Sequence, residues 1–443
     1  MTVITSPTTD SHARKLPAAL WDALDTSRMQ RALNAHWPWL HHRERRLSHL
    51  EVHRVFPQRN DGFVVKYTGR IEGDVPEEIT FFAQASALPA RKMLERALSK
   101  LRKSRRKQIS RNRETDALAV LPGLELLIRM PGYDERLPGL RVRYRSDSIW
   151  ALLGTSPASE PPRFRVLNHR LGKRCVLGVS WRDARGEHRT AVIRCLREQR
   201  VEHQRNRIDL ERLRAHGFDE SATDGIRVPR VLGCSDDLRA VAIEFAPGFV
   251  LGTSLERPLP EQMARAGTAL AKLHGTPAWT ARFHGVNQEL KILRQWVPLA
   301  SLLRPELAQA YHQALAEVTR RLDACRNRPP VLAHRDFYNK QMLYDGQWTT
   351  LIDFDTLSLA DPALDMGNHL AHRRLARLAG EPWSADERAA FLEAYGQRKP
   401  LPPPTALDAW ERAAALRMAC LYAARTGWVD ICEKLLGSVN ESE

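Results

Sequence analysis

Cysteine is scarce in this 443-residue chain, with six residues scattered at Cys175, Cys195, Cys234, Cys325, Cys420 and Cys432. They form neither a C-x-x-C pair nor a zinc-ligand spacing, which speaks against a disulfide framework or a zinc module and predicts buried free thiols in a reducing compartment. Long apolar runs are missing too. No stretch approaches the ~20 residues that a membrane helix needs, and residues 1–17 are polar with no apolar core of a secretion signal, so a cytoplasmic protein without membrane contact is expected. Acid is in short supply: 52 Asp and Glu face 68 Lys and Arg, a formal charge of +16. Such a surplus is unusual in an enzyme of small cationic substrates, because like charge opposes their approach. What remains, 43% hydrophobic over 443 residues, is enough for two or three ordinary domains.

The surplus is concentrated. Residues 91–113 hold eleven Lys or Arg against the single acid Glu95. Leu94, Leu98 and Leu101 fall at i, i+4 and i+7, which predicts a helix with one apolar stripe and a dense cationic face. That face is either simply solvated or a docking surface for an anionic partner such as nucleic acid, a phosphorylated substrate or an acidic protein. Residues 361–443, by contrast, carry twelve acids against ten bases.

The richest chemistry lies in residues 331–368, VLAHRDFYNKQMLYDGQWTTLIDFDTLSLADPALDMGN. Apolar runs bracket His334-Arg335-Asp336 and then deliver Asp353 at the end of a strand-like segment. Phosphoryl transfer needs one carboxylate to orient and deprotonate the acceptor hydroxyl, and further oxygens to hold the magnesium that bridges nucleotide phosphates. The kinase pattern H-R-D-x-x-x-x-N places a metal ligand five residues after the base and an Asp on the following hairpin. Here those positions are Gln341 and Asp353.

On His334-x-Asp336-x4-Gln341, Ile352-Asp353-Phe354-Asp355 and Asp361-Pro362-Ala363-Leu364-Asp365, the chain resembles the aminoglycoside phosphotransferase and choline kinase branch of the protein-kinase-like superfamily. The resemblance covers about residues 162–395. It implies Asp336 as general base, Asp353 as principal magnesium ligand and Gln341 as a second one. Asn is usual where Gln341 stands, but its amide oxygen can still ligate a hard cation, and maltokinase-like relatives carry Gln there as well. His334 would hold the loop, Asp355 would be a supporting acid, and Asp361 and Asp365 would brace loop and helices.

Upstream, a pattern recurs at an offset of 111 residues. Arg54-Val55-Phe56 matches Arg165-Val166-Leu167, residues 63–67 match 174–178, and residues 80–83 match 191–194. Each copy reads strand, turn, strand, loop, strand, then a basic helix and another strand pair, the succession of a kinase N-lobe. The first copy is expected to be a degenerate, N-lobe-like cap and the second the working lobe. In the second, the turn 170–174 has one glycine where protein kinases have G-x-G-x-x-G, and Ala191-Val192-Ile193-Arg194 stands where V-A-I-K would be. The resemblance thus assigns Arg194 to the nucleotide phosphates, with Glu211 as its partner acid and Glu244 and Ala246 as the backbone contacts for adenine at a hinge ending in Pro247-Gly248.

Helices are expected over residues 17–35, 261–274, 306–325, 369–378, 384–395 and 406–436. The histidines His36, His41, His42, His49 and His53 lack companion Cys or acid ligands at metal spacing, which points to solvated or capping roles. The resulting expectation is an α+β, bilobal protein-kinase-like fold: a helical segment over 1–48, a cap over 49–150, an N-lobe over 160–248 and a helical C-lobe over 249–443. The expected activity is transfer of the γ-phosphoryl group of ATP, with Mg2+, to a hydroxyl of a sugar, amino alcohol or aminoglycoside-like acceptor. The alternative is a pseudokinase or nucleotide-binding scaffold whose basic helix binds an anionic macromolecule.

Overall fold

The structure, a computed structural model, describes residues 18–58, 62–73, 77–104, 116–144, 146–156, 160–197, 202–254 and 257–440. The architecture is α+β and divides into two compact units. One comprises Met1–His203, Ser235–Ala240 and Ala424–Gly427; the other comprises Gln204–Cys234, Val241–Ala423 and Trp428–Glu443. Among the described residues no helix is long and apolar enough to cross a membrane.

The first unit opens with helices Ala18–Leu24 and Thr26–His36, separated where Asp25 accepts a hydrogen bond from the Arg28 amide at 2.9 Å, an N-cap that the single predicted helix did not foresee. Next come strands β1 (Leu47–Pro57), β2 (Phe63–Ile71) and β3 (Glu77–Ala85), the helix Ala90–Ser104, and strands β4 (Leu118–Leu121) and β5 (Leu126–Arg129). All pairings are antiparallel and the order is β1-β2-β3-β5-β4. Alternation of aromatic and β-branched residues gives β2 and β3 a buried face, where Tyr67 stacks on Phe81 at 5.1 Å and Trp37 meets Phe81 at 5.0 Å.

The basic helix uses its apolar stripe as expected. Ala97 and Leu101 pack with Leu118, joined by Leu94 and Leu98, while Ala90 and Met93 pack on Leu127. The lone acid, Glu95, sits 3.6 Å from Arg91 in an exposed pair. The predicted cationic stretch beyond Ser104 lies outside the described residues up to 115.

The second meander, β6 (Arg163–Arg170), β7 (Arg174–Arg182) and β8 (His188–Leu196), repeats the first in register. Phe63 pairs with Ala85 and Ile71 with Glu77; 111 residues on, Arg174 pairs with Leu196 and Arg182 with His188. Within the three-stranded meander the constant offset fails only in the first strand. Val52/Arg54 and Val166/Asn168 are bulges, and Pro57 opposite Phe63 corresponds to Arg170 opposite Arg174, a shift of 113. The equivalent of Arg194, which faces Val176, is Ala83, which faces Val65.

The second unit begins at Gln204, within the helix Glu202–Ala215. It contains a four-stranded sheet ordered Phe249–Val250, Met342–Tyr344, Thr349–Leu351, Ile226–Arg227, and a two-stranded ladder of Val331–Ala333 with Ser358–Ala360. Gly248 (φ +109°) turns the chain into the sheet so closely that a Cβ would stand 2.3 Å from the Tyr344 carbonyl oxygen. Most of the remainder is helical: Leu259–Gly275, Val286–Leu303, Ala308–Asp323, Pro362–Leu378, Glu387–Gly396, Pro404–Tyr422 and Val429–Asn440. Val286–Leu303 had no counterpart among the expected helices, and the one expected over 406–436 is broken between Tyr422 and Val429, where Gly427 takes φ +72°.

Two of these helices meet almost backbone to backbone. A Cβ on Gly367 would lie 2.5 Å from the Glu411 nitrogen and 2.6 Å from the Trp410 carbonyl carbon, and backbone atoms cannot move aside. Gly367→Ala is therefore expected to destabilise the protein by about 1–3 kcal/mol through overpacking, read as a lower denaturation midpoint at unchanged slope.

Candidate active site

The loop that follows Val331–Ala333 is fixed from below. Asp365, fully buried in the first turn of Pro362–Leu378, accepts the amides of His334 at 2.7 Å and Arg335 at 2.6 Å. Its Oδ2 also accepts His274 Nε2 at 3.1 Å, so His274 Nδ1 is left to accept the Tyr395 hydroxyl at 2.9 Å. Burial alone would raise the Asp365 carboxyl, but the His274 hydrogen bond, the imidazoles and the His334 amide overcome it and hold the pKa below its ordinary value. Asp361 caps the same helix through the Ala363 amide at 2.9 Å and lies 2.9 Å from Arg328.

His334 joins the two carboxylate-bearing segments. Its Nδ1 accepts the Asp336 amide at 3.3 Å, which leaves the proton on Nε2 to donate to the Ile352 carbonyl at 2.9 Å. Thr356 Oγ1 donates to the His334 carbonyl at 2.7 Å, and Phe354 packs on the ring. Arg335 (φ +68°) and Asp353 (φ +66°) are both left-handed, a conformation that costs non-glycine residues roughly 1–3 kcal/mol and persists where surroundings over-determine it.

Three candidate residues come together here. Gln341, 6% exposed, turns Nε2 to Asp336 Oδ2 at 3.3 Å, and the Ile352 amide donates to the Gln341 carbonyl at 3.0 Å. Asp336 and Asp353 are half-buried. Asp355 accepts Asn206 Nδ2 at 2.9 Å, and Arg282 bridges the Asp355 carbonyl at 3.2 Å and Asp209 Oδ2 at 3.0 Å. Asp209 also receives Trp279 Nε1 at 3.0 Å, yet burial pushes its carboxyl above the ordinary value despite those partners.

The other sequence candidates sit as follows. Glu211 is exposed and bonded by Arg207 at 2.9 and 3.1 Å, whereas the buried polar residues of its helix are His203, Asn206 and Asp209. Glu244 ends the strand Ala240–Glu244; its amide donates to the Arg230 carbonyl at 2.9 Å and its carboxylate accepts the Arg230 amide at 3.3 Å. Ala246 follows in the segment leading to Gly248. Arg194, in the first unit, is 5% exposed. In that same unit the turn 170–174 is already engaged: the Gly172 amide donates to Asp134, whose carboxyl is held well below its ordinary range by His169 and Arg136 against the opposing effect of burial. Of the histidines expected to be solvated or capping, His42 lies 2.9 Å from Asp116 and His49 3.0 Å from Glu51, and no group of three or more His, Cys, Asp or Glu among the described residues could hold a metal ion.

Sequence reasoning missed the supporting residues beyond the loop. Asn368 donates to the Phe337 carbonyl at 2.9 Å and accepts Arg417 at 2.5 Å. Arg417 also reaches Glu289 at 2.9 Å, and Glu289 pairs with His284 at 2.8 Å. Glu289 is buried, which would raise its pKa, but Arg417 and His284 bring it down to about 2.

A family model described as "Phosphotransferase enzyme family" matches residues 182–416, more than half of the chain. A homoserine kinase of Parvibaculum lavamentivorans is 29% identical over 181 residues, covering 38% of this chain and 54% of its own length, so the chain spans about half of that relative. Among solved structures, an amicoumacin kinase in complex with AMP-PNP, Ca2+ and Ami is 14% identical with a TM-score of 0.48, over 68% of this chain and 95% of that one. An ethanolamine kinase of Plasmodium vivax is 15% identical with a TM-score of 0.44, over 79% and 89%.

Proposed function

The chain belongs to the phosphotransferase enzyme family, and from that premise we propose that it passes the γ-phosphoryl group of ATP to a small-molecule hydroxyl with Asp336 as the base. The observation that supports this reading is the braced pair of segments: the loop bearing Asp336 and the strand end bearing Asp353 are tied through one histidine ring. A carboxylate on a loop this firmly held can orient an acceptor hydroxyl and take its proton, which is most of what protein side chains contribute to phosphoryl transfer.

The donor set suits magnesium. With Nε2 of Gln341 turned to Asp336, its Oε1 is a neutral oxygen donor, and Asp353 adds a carboxylate from the neighbouring strand end. Two protein oxygens are a normal share for Mg2+, which keeps waters and phosphate oxygens for the rest. Bound there, the ion would neutralise charge on the transferring phosphates. Arg194 would carry positive charge to the nucleotide phosphates. Because the Glu244 amide is already spent on Arg230, the adenine contacts left are the Glu244 carbonyl and the Ala246 amide. Glu211 could join only by releasing Arg207.

Of the acceptor classes we favour an amino alcohol that carries its own carboxylate. Arg335 stands beside the base, its Nε finds no hydrogen-bond partner, and burial, ahead of any neighbouring charge, lowers its pKa. A guanidinium so placed welcomes an anionic group and repels a polycation. The likeness to a homoserine kinase runs the same way. The test is a phosphate-transfer assay with Mg-ATP and Mg-GTP over sugars, amino alcohols including homoserine, and aminoglycosides, for wild type and Asp353→Asn. Transfer to an amino alcohol at least roughly tenfold above any aminoglycoside, abolished in the variant, is expected; absence of nucleotide binding by the wild type would overturn the reading.

A further inference from the structure

The helical part of the second unit is indented by a half-open cavity of about 570 Å³ whose lining includes no residue assigned above to transfer. Five cations line it against two carboxylates, and the carboxylates are already taken. Glu411 is held by Arg374 at 2.9 Å and Arg388 at 2.6 Å, and Glu387 by Arg373 at 3.0 Å.

Two buried donors face this space without partners. His369 is 0% exposed, and neither of its ring nitrogens has a hydrogen bond. Arg373, 4% exposed, spends its terminal nitrogens on the carbonyls of Gly252 and Pro382 and on Glu387, but its Nε is unpaired. The two residues are one helical turn apart on Pro362–Leu378, so they share a face. The His369 ring is fixed by stacking on Phe391 at 4.5 Å, and burial, with the charge of Arg373, keeps it neutral with pKa about 3. An unsatisfied buried donor costs about 1–3 kcal/mol, and two of them side by side in a positively charged hollow are the counterpart of an oxyanion. At the mouth, Arg377 lies over the Trp383 ring at 4.6 Å, and neither Arg377 nor Lys434 has an acidic partner among the described residues.

We propose that this cavity is a binding site for a small phosphate monoester, its phosphate oxygens received by His369 and Arg373 Nε and its second negative charge balanced by Arg377 and Lys434. The excess of three positive charges suits a dianion better than a carboxylate.

The experiment is calorimetric titration of the full chain with inorganic phosphate, and with acetate at equal ionic strength as the carboxylate control. It uses wild type, Arg377→Gln/Lys434→Gln and Asp353→Asn; the first variant changes only exposed side chains and should fold normally. Saturable phosphate binding, about tenfold weaker in the double variant, intact in Asp353→Asn and absent for acetate, is expected. Phosphate binding unchanged by the double variant, lost in Asp353→Asn, matched by acetate, or undetectable in the wild type would each overturn the proposal. Since the transfer reaction is read with Asp353→Asn and this site with Arg377 and Lys434, either conclusion can fail alone.

Discussion

Asp336→Asn is expected to lower kcat by about 10²- to 10⁴-fold, the span a positioned general base contributes, while nucleotide affinity and the unfolding midpoint stay close to wild type. Asparagine is nearly isosteric and keeps an oxygen for the Gln341 amide that now sits 3.3 Å away. Asp336 is half-buried, and its backbone is placed by the His334 ring and by neighbouring amides rather than by its own carboxylate, so losing the charge should not move the loop. The loss should therefore fall on kcat, with the nucleotide KM left alone. A variant that turns over like the wild type would remove Asp336 from the chemistry.

Asp365→Ala should be the most damaging single change to stability, by about 3–5 kcal/mol, the cost of breaking a buried charged pair. It strands the amides of His334 and Arg335 together with His274 Nε2, all inside the protein. Each orphaned buried donor costs about 1–3 kcal/mol, and partial collapse of the site recovers some of the sum. Asp365→Asn, which keeps one acceptor oxygen, should fall between. Because the folded carboxyl lies below its ordinary value of 3.8, the stability it contributes is fully present above that value and disappears as the pH falls through the lower, folded value. Chemical denaturation of wild type and Asp365→Asn from pH 7 down to the acid limit checks this: the two curves should converge as the carboxyl is protonated, and parallel curves would count against it.

The parts of the site that could be read from the residues are those carried by one short segment. His334, Asp336, Gln341, Asp353 and Asp365 all lie within residues 331–368, where spacing translates almost directly into geometry. The repeat was also legible, because hydrophobic alternation fixes register and the second and third strands of each copy kept it. The first strands drifted because bulges add residues that no pattern announces. The helix carrying Asp209 and Glu211 was harder. Two acids two residues apart point to opposite faces, and Leu213, four residues after Asp209 and buried, was the available signal for which face is inside. Arg417 could not have been found as the partner of Glu289, since the two are 128 residues apart and meet only through packing. The same holds for His369 and Arg373, ordinary helix residues by pattern, whose missing partners are visible only once the space around them is known.

Within the first unit, the amide of Val52 donates to Thr426 Oγ1 at 3.0 Å and its carbonyl accepts the Thr426 amide at 3.1 Å. Val52 belongs to β1, the outermost strand of its sheet, and the partners are 374 residues apart. At roughly 5–20 residues per second of synthesis, Thr426 leaves the ribosome roughly 20–75 s after Val52. For that interval the nascent sheet keeps an open margin, the kind of surface to which other unfinished chains add strands. At Val52 the edge of β1 thus stays without its Thr426 partner until 374 further residues have been made.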